Sequence, residues 1–374
     1  MKILVFNWQD IRNPLAGGAE VHFHQIFSRI ASRGHSVTLF CSRFPGAPAE
    51  ETIDGIRIIR EGGRGLFNYH VIWKYLVRFR REAYDVVIDD MNKIPFFTPL
   101  YVRRPLAIII HHLFGRSIFL EASWPVAMYV HLTERFGLAL ARRFHTPVYV
   151  VSQSTKKEVL ATGIREESLD IIYNCVDHRL HVRGTVPRSP APLIGYFGRL
   201  KKYKSVEHLL HAFSRIRKEF PACRLVVIGD GDYRPTLERM AGDLGIADAV
   251  TFTGFVTEAE KVRLLQEMWF LVNTSSKEGW GLTVIEANAC GTTVIASDVP
   301  GLRDAVRDGE TGLLYTYGDV DELAGRIKTL LTDADRRRRL EEEAYRWAAT
   351  FDWDDMAEKT IGLLRNLISS GSTR

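Results

Sequence analysis

Short apolar, largely β-branched runs alternate along the whole chain with stretches in which apolar positions recur three and four apart. The short runs predict strands at Ile3–Phe6, Ser36–Phe40, Ile56–Arg60, Asp85–Asp89, Leu106–His111 and Val148–Val151, then at Leu193–Phe197, Arg224–Ile228, Val250–Thr253, Phe270–Asn273 and Thr293–Ala296. The wider spacing predicts helices between them. In Ser205–Phe220, for example, Val206, Leu209, Leu210, Phe213 and Ile216 share one face. Gly34 and Gly163 each follow a helical pattern, where a C-cap glycine belongs. Strand–helix alternation specifies α/β domains with parallel sheets. A chain of 374 residues is about twice an ordinary domain, so two doubly wound, Rossmann-like domains are expected. The segment Thr185–Pro192 holds three prolines and little that can pack, and reads as the linker. It sets a first domain at 1–187 and a second at 188–354, with a last helix, about 355–374, packing back on the first. Sheets of this kind bind ligands outside the carboxyl ends of their strands, so two of them facing a cleft place the chemistry in strand-to-helix loops.

Composition narrows the class. With 46% hydrophobic and 25% charged residues the chain is neither disordered nor collagen-like. The net charge of +5 is unevenly spread, because residues 1–180 carry 23 basic against 17 acidic side chains while 181–374 carry 27 against 28. Much of the excess lies in Arg60–Arg81, and no broad basic stripe calls for a nucleic-acid partner. The run Arg336–Arg339, followed by Glu341–Glu343, reads as a solvated helix face. Cys41, Cys175, Cys223 and Cys290 are far apart and sit in apolar surroundings, which suits reduced core thiols rather than a metal site or a disulfide framework. The N-terminal run reads as a first strand rather than a signal peptide, and no apolar stretch reaches the length of a membrane span. A cytoplasmic protein is expected, with peripheral contact on the inner face of an anionic membrane as an open alternative. That alternative rests on 60–81, where Phe67, Val71, Lys74/Tyr75 and Arg78 share one helical side while Ile72, Leu76 and Phe79 fall on another, an incomplete separation of faces. A buried helix with a basic exposed edge is the leading reading, and a membrane-surface helix the second.

Three loops have the residues for chemistry. The first, Asn7 to Glu20, carries Gly17 and Gly18 at a helix start, where free amides and the helix dipole suit an anion or a tight turn serves instead. The second, Gly198 to Ser205, follows a buried strand and offers Arg199 as a fork and Lys204 as a point charge for a pyrophosphate. The third, Ser276 to Gly291, places Glu278 in a glycine-flanked loop and Glu286 within the helix that follows. At a rise of about 1.5 Å per residue the helix start and Glu286 lie roughly 7 to 8 Å apart, which suits two carboxylates accepting hydroxyls from one ligand.

The stretch Glu278-Gly-Trp-Gly-Leu-Thr-Val-Ile-Glu286 resembles the E-x7-E signature of the family 4 retaining glycosyltransferases of GT-B fold. Further segments keep the family's order: the Gly17-Gly-Ala-Glu20 loop, Asn174-Cys-Val-Asp177, Gly198-Arg-Leu with Lys204, Gly229-Asp-Gly231, Gly254-Phe-Val256, Ser297-Asp-Val-Pro-Gly301 and Gly312. Ser205 replaces a usual glycine, Asp232 and Thr293 usual prolines, and Asn288 a usual apolar residue. The resemblance implies transfer of a hexose, with retention, from a UDP- or GDP-linked sugar to a glycan, lipid-linked or small-molecule acceptor. No cofactor or metal is implied, the nucleotide sugar being a co-substrate. By similarity Arg199 and Lys204 would hold the donor phosphates, Glu286 the ribose, and Glu278 with Gly279, Trp280, Gly281 and Leu282 the sugar and phosphate. Gly17 and Gly18 would line the phosphate, Phe255 and Val256 would border the base, and His111, or its neighbour His112, would lie near the sugar. Asp230 and Asp232 form one of four D-x-D pairs, too many for the spacing to mark a metal site. The other reading is a nucleotide-sugar or glycan-binding protein without turnover on the same fold.

Overall fold

The computed structural model describes residues 1–91, 94–115, 117–120, 122–184 and 186–371, of which the side chain of Leu120 is left aside. It divides into two compact units, Met1–Asn174 with Trp353–Arg374, and Cys175–Asp352.

The first unit is built on β1 (Lys2–Phe6), β2 (Ser36–Cys41), β3 (Glu50–Ile53), β4 (Ile56–Arg60), β5 (Val86–Met91), β6 (Leu106–Ile110), β7 (Val148–Val150) and β8 (Leu169–Ile171). Among the described residues these form one sheet in the order β3-β4-β2-β1-β5-β6-β7-β8. All neighbours run parallel except β3 and β4, a hairpin closed by Asp54 (φ 46°) and Gly55 (φ 81°). That Asp-Gly pair favours the left-handed backbone a two-residue hairpin turn needs, so the missed strand β3 had a signal in the sequence. The strands are continuous apolar runs because helices cover both faces. Those helices are α1 (Gly18–Ser32), α2 (Phe67–Val77), α3 (Trp124–Arg143), α4 (Gln153–Leu160) and the C-terminal helix, given below.

The second unit holds β9 (Leu193–Phe197), β10 (Arg224–Ile228), β11 (Val250–Gly254), β12 (Phe270–Asn273), β13 (Val294–Ser297) and β14 (Gly312–Tyr315), all parallel, in the order β11-β10-β9-β12-β13-β14. Its helices are α5 (Val206–Glu219), α6 (Arg234–Asp243), α7 (Glu258–Glu267), α8 (Leu282–Ala289), α9 (Leu302–Ala305), α10 (Val320–Thr332) and α11 (Ala334–Ala348). The apolar stripe of α5 (Val206, Leu209, Leu210, Phe213, Ile216) is buried against Ile194, Tyr196, Leu225 and Val227. The last helix, α12 (Trp353–Ser370), belongs to the first unit, where Asp354 pairs with Arg29 at 3.3 Å and with Arg33 at 2.7 Å on α1.

Three expectations are corrected. The chain passes between units at Asn174/Cys175 rather than at 187/188. Residues beyond that point are tied into the second unit: the Arg188 guanidinium donates to Gln266 O at 3.2 Å and Thr292 Oγ1 at 2.6 Å, and Ser189 N donates to Glu267 O at 2.9 Å. From Val186 on, the proline-rich segment is thus held through Arg188 and Ser189 rather than left as a free linker, Thr185 lying outside the described residues. The Arg336–Arg339 run is not wholly solvated either. Arg337 stacks on Trp269 at 4.1 Å, while Glu341 and Glu342 pair with Arg188 and Arg183 at 3.2 and 2.6 Å. Finally, the exposed edge of α2 is apolar rather than basic. Phe67, Val71 and Tyr75 are buried, but Leu66, Tyr69, Trp73, Leu76 and Val77 face outward. All four cysteines are buried and outside any disulfide, and no helix among the described residues is long and apolar enough to cross a membrane.

Candidate active site

In the second unit the strand order reverses between β9 and β12, and loops from these neighbouring strands bring Lys204 and Glu278 together. The loop after β9 is fastened to the one after β10: Gly198 N donates to Ile228 O at 3.0 Å, Leu200 N to Asp230 O at 2.9 Å and Tyr233 N to Leu200 O at 3.0 Å. Side chains are excluded from this seam. A Cβ on Gly229 would lie 2.1 Å from Gly198 O, and one on Gly231 2.2 Å from Leu200 O. The Gly-Asp-Gly sequence therefore serves close backbone packing. Asp232 pairs with Lys201 at 2.8 Å, and Asp230 accepts from its neighbour Gly231 N at 2.7 Å.

On the other side, the loop after β9 is tied to that after β12 by Ser276 N donating to Tyr203 O at 2.9 Å and Thr274 Oγ1 to Lys204 O at 2.8 Å. Across this junction Lys204 Nζ donates to Glu278 Oε1 in a short, largely buried ion pair, and Ser275 Oγ donates to the same oxygen at 2.7 Å. Burial opposes the charge on Lys204, but Glu278 and the nearby phenols of Tyr203 and Tyr196 outweigh it and hold the ammonium above its ordinary value. Ser205, next to Lys204, adopts φ 50°, a conformation for which glycine is better suited, and its Oγ lies 2.9 Å from Tyr317 Oη. Arg199 differs from Lys204. Its side chain is exposed and makes no ion pair among the described residues.

Helix α8 starts at Leu282 after Gly281, whose φ of 98° needs glycine. Gly301, at φ 84°, lets the Glu278 backbone pass, since a Cβ there would lie 2.3 Å from Glu278 O. One turn into α8, the buried Glu286 carboxylate meets Lys261 Nζ at 3.1 Å and His181 Nε2 at 3.6 Å. Desolvation holds His181 below its usual value, whereas Lys261, buried but facing Glu286 and Glu258, is held above its own. Phe255 (82% exposed) and the half-buried Val256 lie on the loop from β11 into α7, the helix that carries Lys261. The Trp280 indole is buried against Phe351, centroids 5.0 Å apart, as suits a large apolar ring.

The first unit has its own polar cluster at the β1/β5 switch point, again outside the carboxyl ends of the strands. His111 Nε2, just beyond β6, lies 2.6 Å from Asp90 Oδ1, and Asn7 Nδ2 donates to Asp90 Oδ2 at 2.8 Å. Burial disfavours the imidazolium, but the Asp90 charge and hydrogen bond prevail and hold His111 above its usual value. His22 stands edge-on to His111 at 5.1 Å and uses Nε2 on Ile172 O at 3.0 Å. Wholly buried, it is pushed down to about 3 and is neutral. Gly17 N donates to Glu20 Oε2 at 2.7 Å at the start of α1, and space beside Gly18 is open. His112 packs on Phe114 at 4.2 Å. Behind these groups, the wholly buried Arg60 grips Asp10 at 2.7 and 2.9 Å and Glu51 at 2.5 Å, fixing the loop that leads to Gly17.

Asn7, Asp90, Lys261, His181 and Ser275 were not singled out from sequence. Only Asp89-Asp90 left a trace there, as two acids closing an apolar strand. The partners of the others come from segments far away in the chain.

Two parallel-sheet α/β units, one with its cations and carboxylates gathered at the switch point, define the GT-B class of fold. The family described as Glycosyltransferase Family 4 matches residues 16–180, and Glycosyl transferases group 1 matches 181–347. The chain belongs to the family 4 glycosyltransferases. It is 26% identical to the glycogen synthase of Mycobacterium tuberculosis, over 96% of this chain and 93% of that one. It is 27% identical to the GDP-mannose-dependent alpha-(1-6)-phosphatidylinositol monomannoside mannosyltransferase of the same organism, over 94% and 95%. HepE of Anabaena, solved in complex with UDP-glucose, has the same fold at a TM-score of 0.76 and 22% identity, covering 98% of this chain and 100% of that one.

Proposed function

We propose that the protein moves a hexose, with retention at the anomeric carbon, from a UDP- or GDP-linked sugar to a glycan, lipid-linked or small-molecule acceptor, without a metal. The observation that carries this reading is the pairing at the β9/β12 switch point of an uncommitted cation, Arg199, with a buried one, Lys204, held by Glu278. The UDP-glucose seen in HepE and the GDP-mannose named for the mannosyltransferase support the two donor classes.

In this reading Arg199 forks the donor's pyrophosphate and Lys204 adds a point charge, so the charge that builds on the departing nucleoside diphosphate is met in place. Glu286 accepts from the ribose hydroxyls. Glu278, with the amides of Gly279 to Leu282, orients the sugar, and the base is bordered by Phe255 and Val256. From the first unit, His111, held by Asp90, lies near the sugar, and Gly17 and Gly18 admit the phosphate. The acceptor oxygen bonds to the anomeric carbon as the carbon–phosphate oxygen bond breaks on the same face, and the acceptor's proton passes to that departing oxygen. No covalent enzyme residue is required. The location proposed is cytoplasmic, in a role in cell-envelope glycan synthesis, with peripheral contact on the inner membrane face.

A screen of nucleotide sugars for thermal stabilisation, followed by product analysis with and without chelator, tests the reading. Arg199→Ala is expected to lower kcat more than it raises KM, and Glu286→Ala to weaken nucleotide binding. Nucleotide binding with no transfer from any donor, or unchanged kinetics in both variants, overturns it.

A further inference from the structure

Helix α2 is apolar on two opposite sides. Phe67, Val71 and Tyr75 fill the core beneath it, while Leu66, Tyr69, Trp73, Leu76 and Val77 form an outward stripe at spacings of three and four. Leu66 is 70% exposed and Trp73 54%. A soluble helix normally turns charge to that side. The stripe continues onto α3, because Tyr69 Oη and Asn68 Nδ2 each lie 3.2 Å from Tyr129 Oη. On the same helix Trp124 is 67% exposed, and Val126, Leu132 and Phe136 are exposed as well. Isolated exposed apolar residues are ordinary, but an apolar stripe that meets a second helix with exposed aromatic and aliphatic groups of its own marks a surface that is covered in use.

Charge at its edge says what covers it. Leu76 and Leu100 open onto a depression of about 680 Å³ whose walls carry Arg80, Arg81, Arg103 and Arg104. All four are exposed, and none has an acidic partner among the described residues. Neighbouring cations are committed by contrast, Arg78 to Glu82 at 3.1 Å and Lys74 to Glu61 at 2.7 Å.

We infer that the outer face of α2 and α3 with the four-arginine depression docks the protein on an anionic phospholipid bilayer. Trp73, Trp124 and Leu66 enter the interface, and the arginines take lipid phosphates. An interfacial helix needs this pairing of apolar stripe and cationic rim, since neither contribution alone holds a protein on a membrane. A protein partner would leave the arginines needing matched acids, whereas a bilayer supplies phosphates over the whole surface. The inference deepens the membrane contact proposed above and moves it beyond 60–81, to a face that includes α3 and Arg103–Arg104.

The test is flotation of the full chain with phosphatidylglycerol-containing and with pure phosphatidylcholine vesicles. Binding is expected only to the former, falling at high salt. Arg80→Ala/Arg103→Ala is expected to weaken it roughly 30-fold, from about five-fold per arginine. Leu66→Ser/Trp73→Ser is expected to weaken it about ten-fold or more through lost apolar burial. Nucleotide-induced thermal stabilisation should be equal in wild type and both variants, which also shows that they are folded. Absence of flotation at low salt, equal flotation on neutral vesicles, or unweakened binding by both variants overturns the inference. So does concentration-dependent dimerisation that the serine variant abolishes without any vesicle binding, since the face then meets a second copy. If nucleotides fail to stabilise the wild type, the transferase reading fails on its own and the vesicle result still decides this one.

Discussion

Asp89 is the strongest test of how the first unit holds its polar cluster. It closes β5 with its side chain in the core, 1% exposed, where Oδ2 accepts from Thr98 Oγ1 at 2.7 Å. Burial, reinforced by the adjacent Asp90 carboxylate, raises it from 3.8 to about 7. The fold therefore favours the protonated acid. Its contribution to stability is fully present below the unfolded value and is lost as pH rises through about 7. At about 1.4 kcal/mol per unit, the loss between pH 5 and pH 8 is about 2 to 3 kcal/mol, and across the whole window about 4 kcal/mol. Asp89→Asn keeps the shape and the oxygen that accepts from Thr98 but does not ionise. Relative to wild type, the variant should thus gain about 2 to 3 kcal/mol of first-unit stability from about pH 5 to about pH 8. Urea titrations of the full chain at both pH values, fitted with one transition per unit, measure this difference. If the gap between variant and wild type is the same at both pH values, Asp89 is ionised throughout and the reasoning is wrong.

His22 tests the acid side with the opposite sign. Its folded value of about 3 lies below 6.5, so its contribution is present above 6.5 and fades as pH falls, by about 2 kcal/mol at about pH 5; His22→Phe should flatten the acid limb of a stability profile. Arg60→Met leaves Asp10 and Glu51 against a buried gap and should cost about 3 to 5 kcal/mol, read as a lower thermal midpoint, with Arg60→Met/Asp10→Asn recovering part of it. Gly301→Ala drives a methyl towards Glu278 O, so nucleotide affinity should fall by about ten-fold or more while circular dichroism is unchanged; undiminished binding would show that the Glu278 loop does not take part.

The architecture was legible because buried parallel strands leave continuous apolar runs, and each of the strands expected from sequence is present with its end shifted by at most two residues. The strands β3, β8 and β14 were less visible, being short and at sheet edges or ends. Residues of the candidate site stood out where local sequence imposed them: glycines at positive φ or at backbone seams, and polar groups directly after a strand. What sequence did not reveal was pairing. Lys204 with Glu278, Glu286 with Lys261 and His111 with Asp90 each join segments brought together only by the sheet order. The same gap explains α2, whose letters gave basic and apolar residues without saying which of them the core had already claimed.

The charge asymmetry of the two halves can now be assigned to particular side chains. An excess of six positive charges in residues 1–180 is not by itself a binding site, because a committed cation presents little field beyond its partner. Arg57 is spent on Glu50, Arg60 on Asp10 and Glu51, Arg29 and Arg33 on Asp354. Four that have no acidic partner among the described residues, Arg80, Arg81, Arg103 and Arg104, gather around one depression beside an apolar stripe. The second unit is nearly neutral and shows the complementary arrangement, with Lys204 held in reserve by Glu278 and Arg199 left open. Bulk charge thus predicts neither site. The local count of unpaired cations separates a candidate phosphate site for a small donor from a broad face suited to many lipid phosphates, and it assigns the two to different units of the chain.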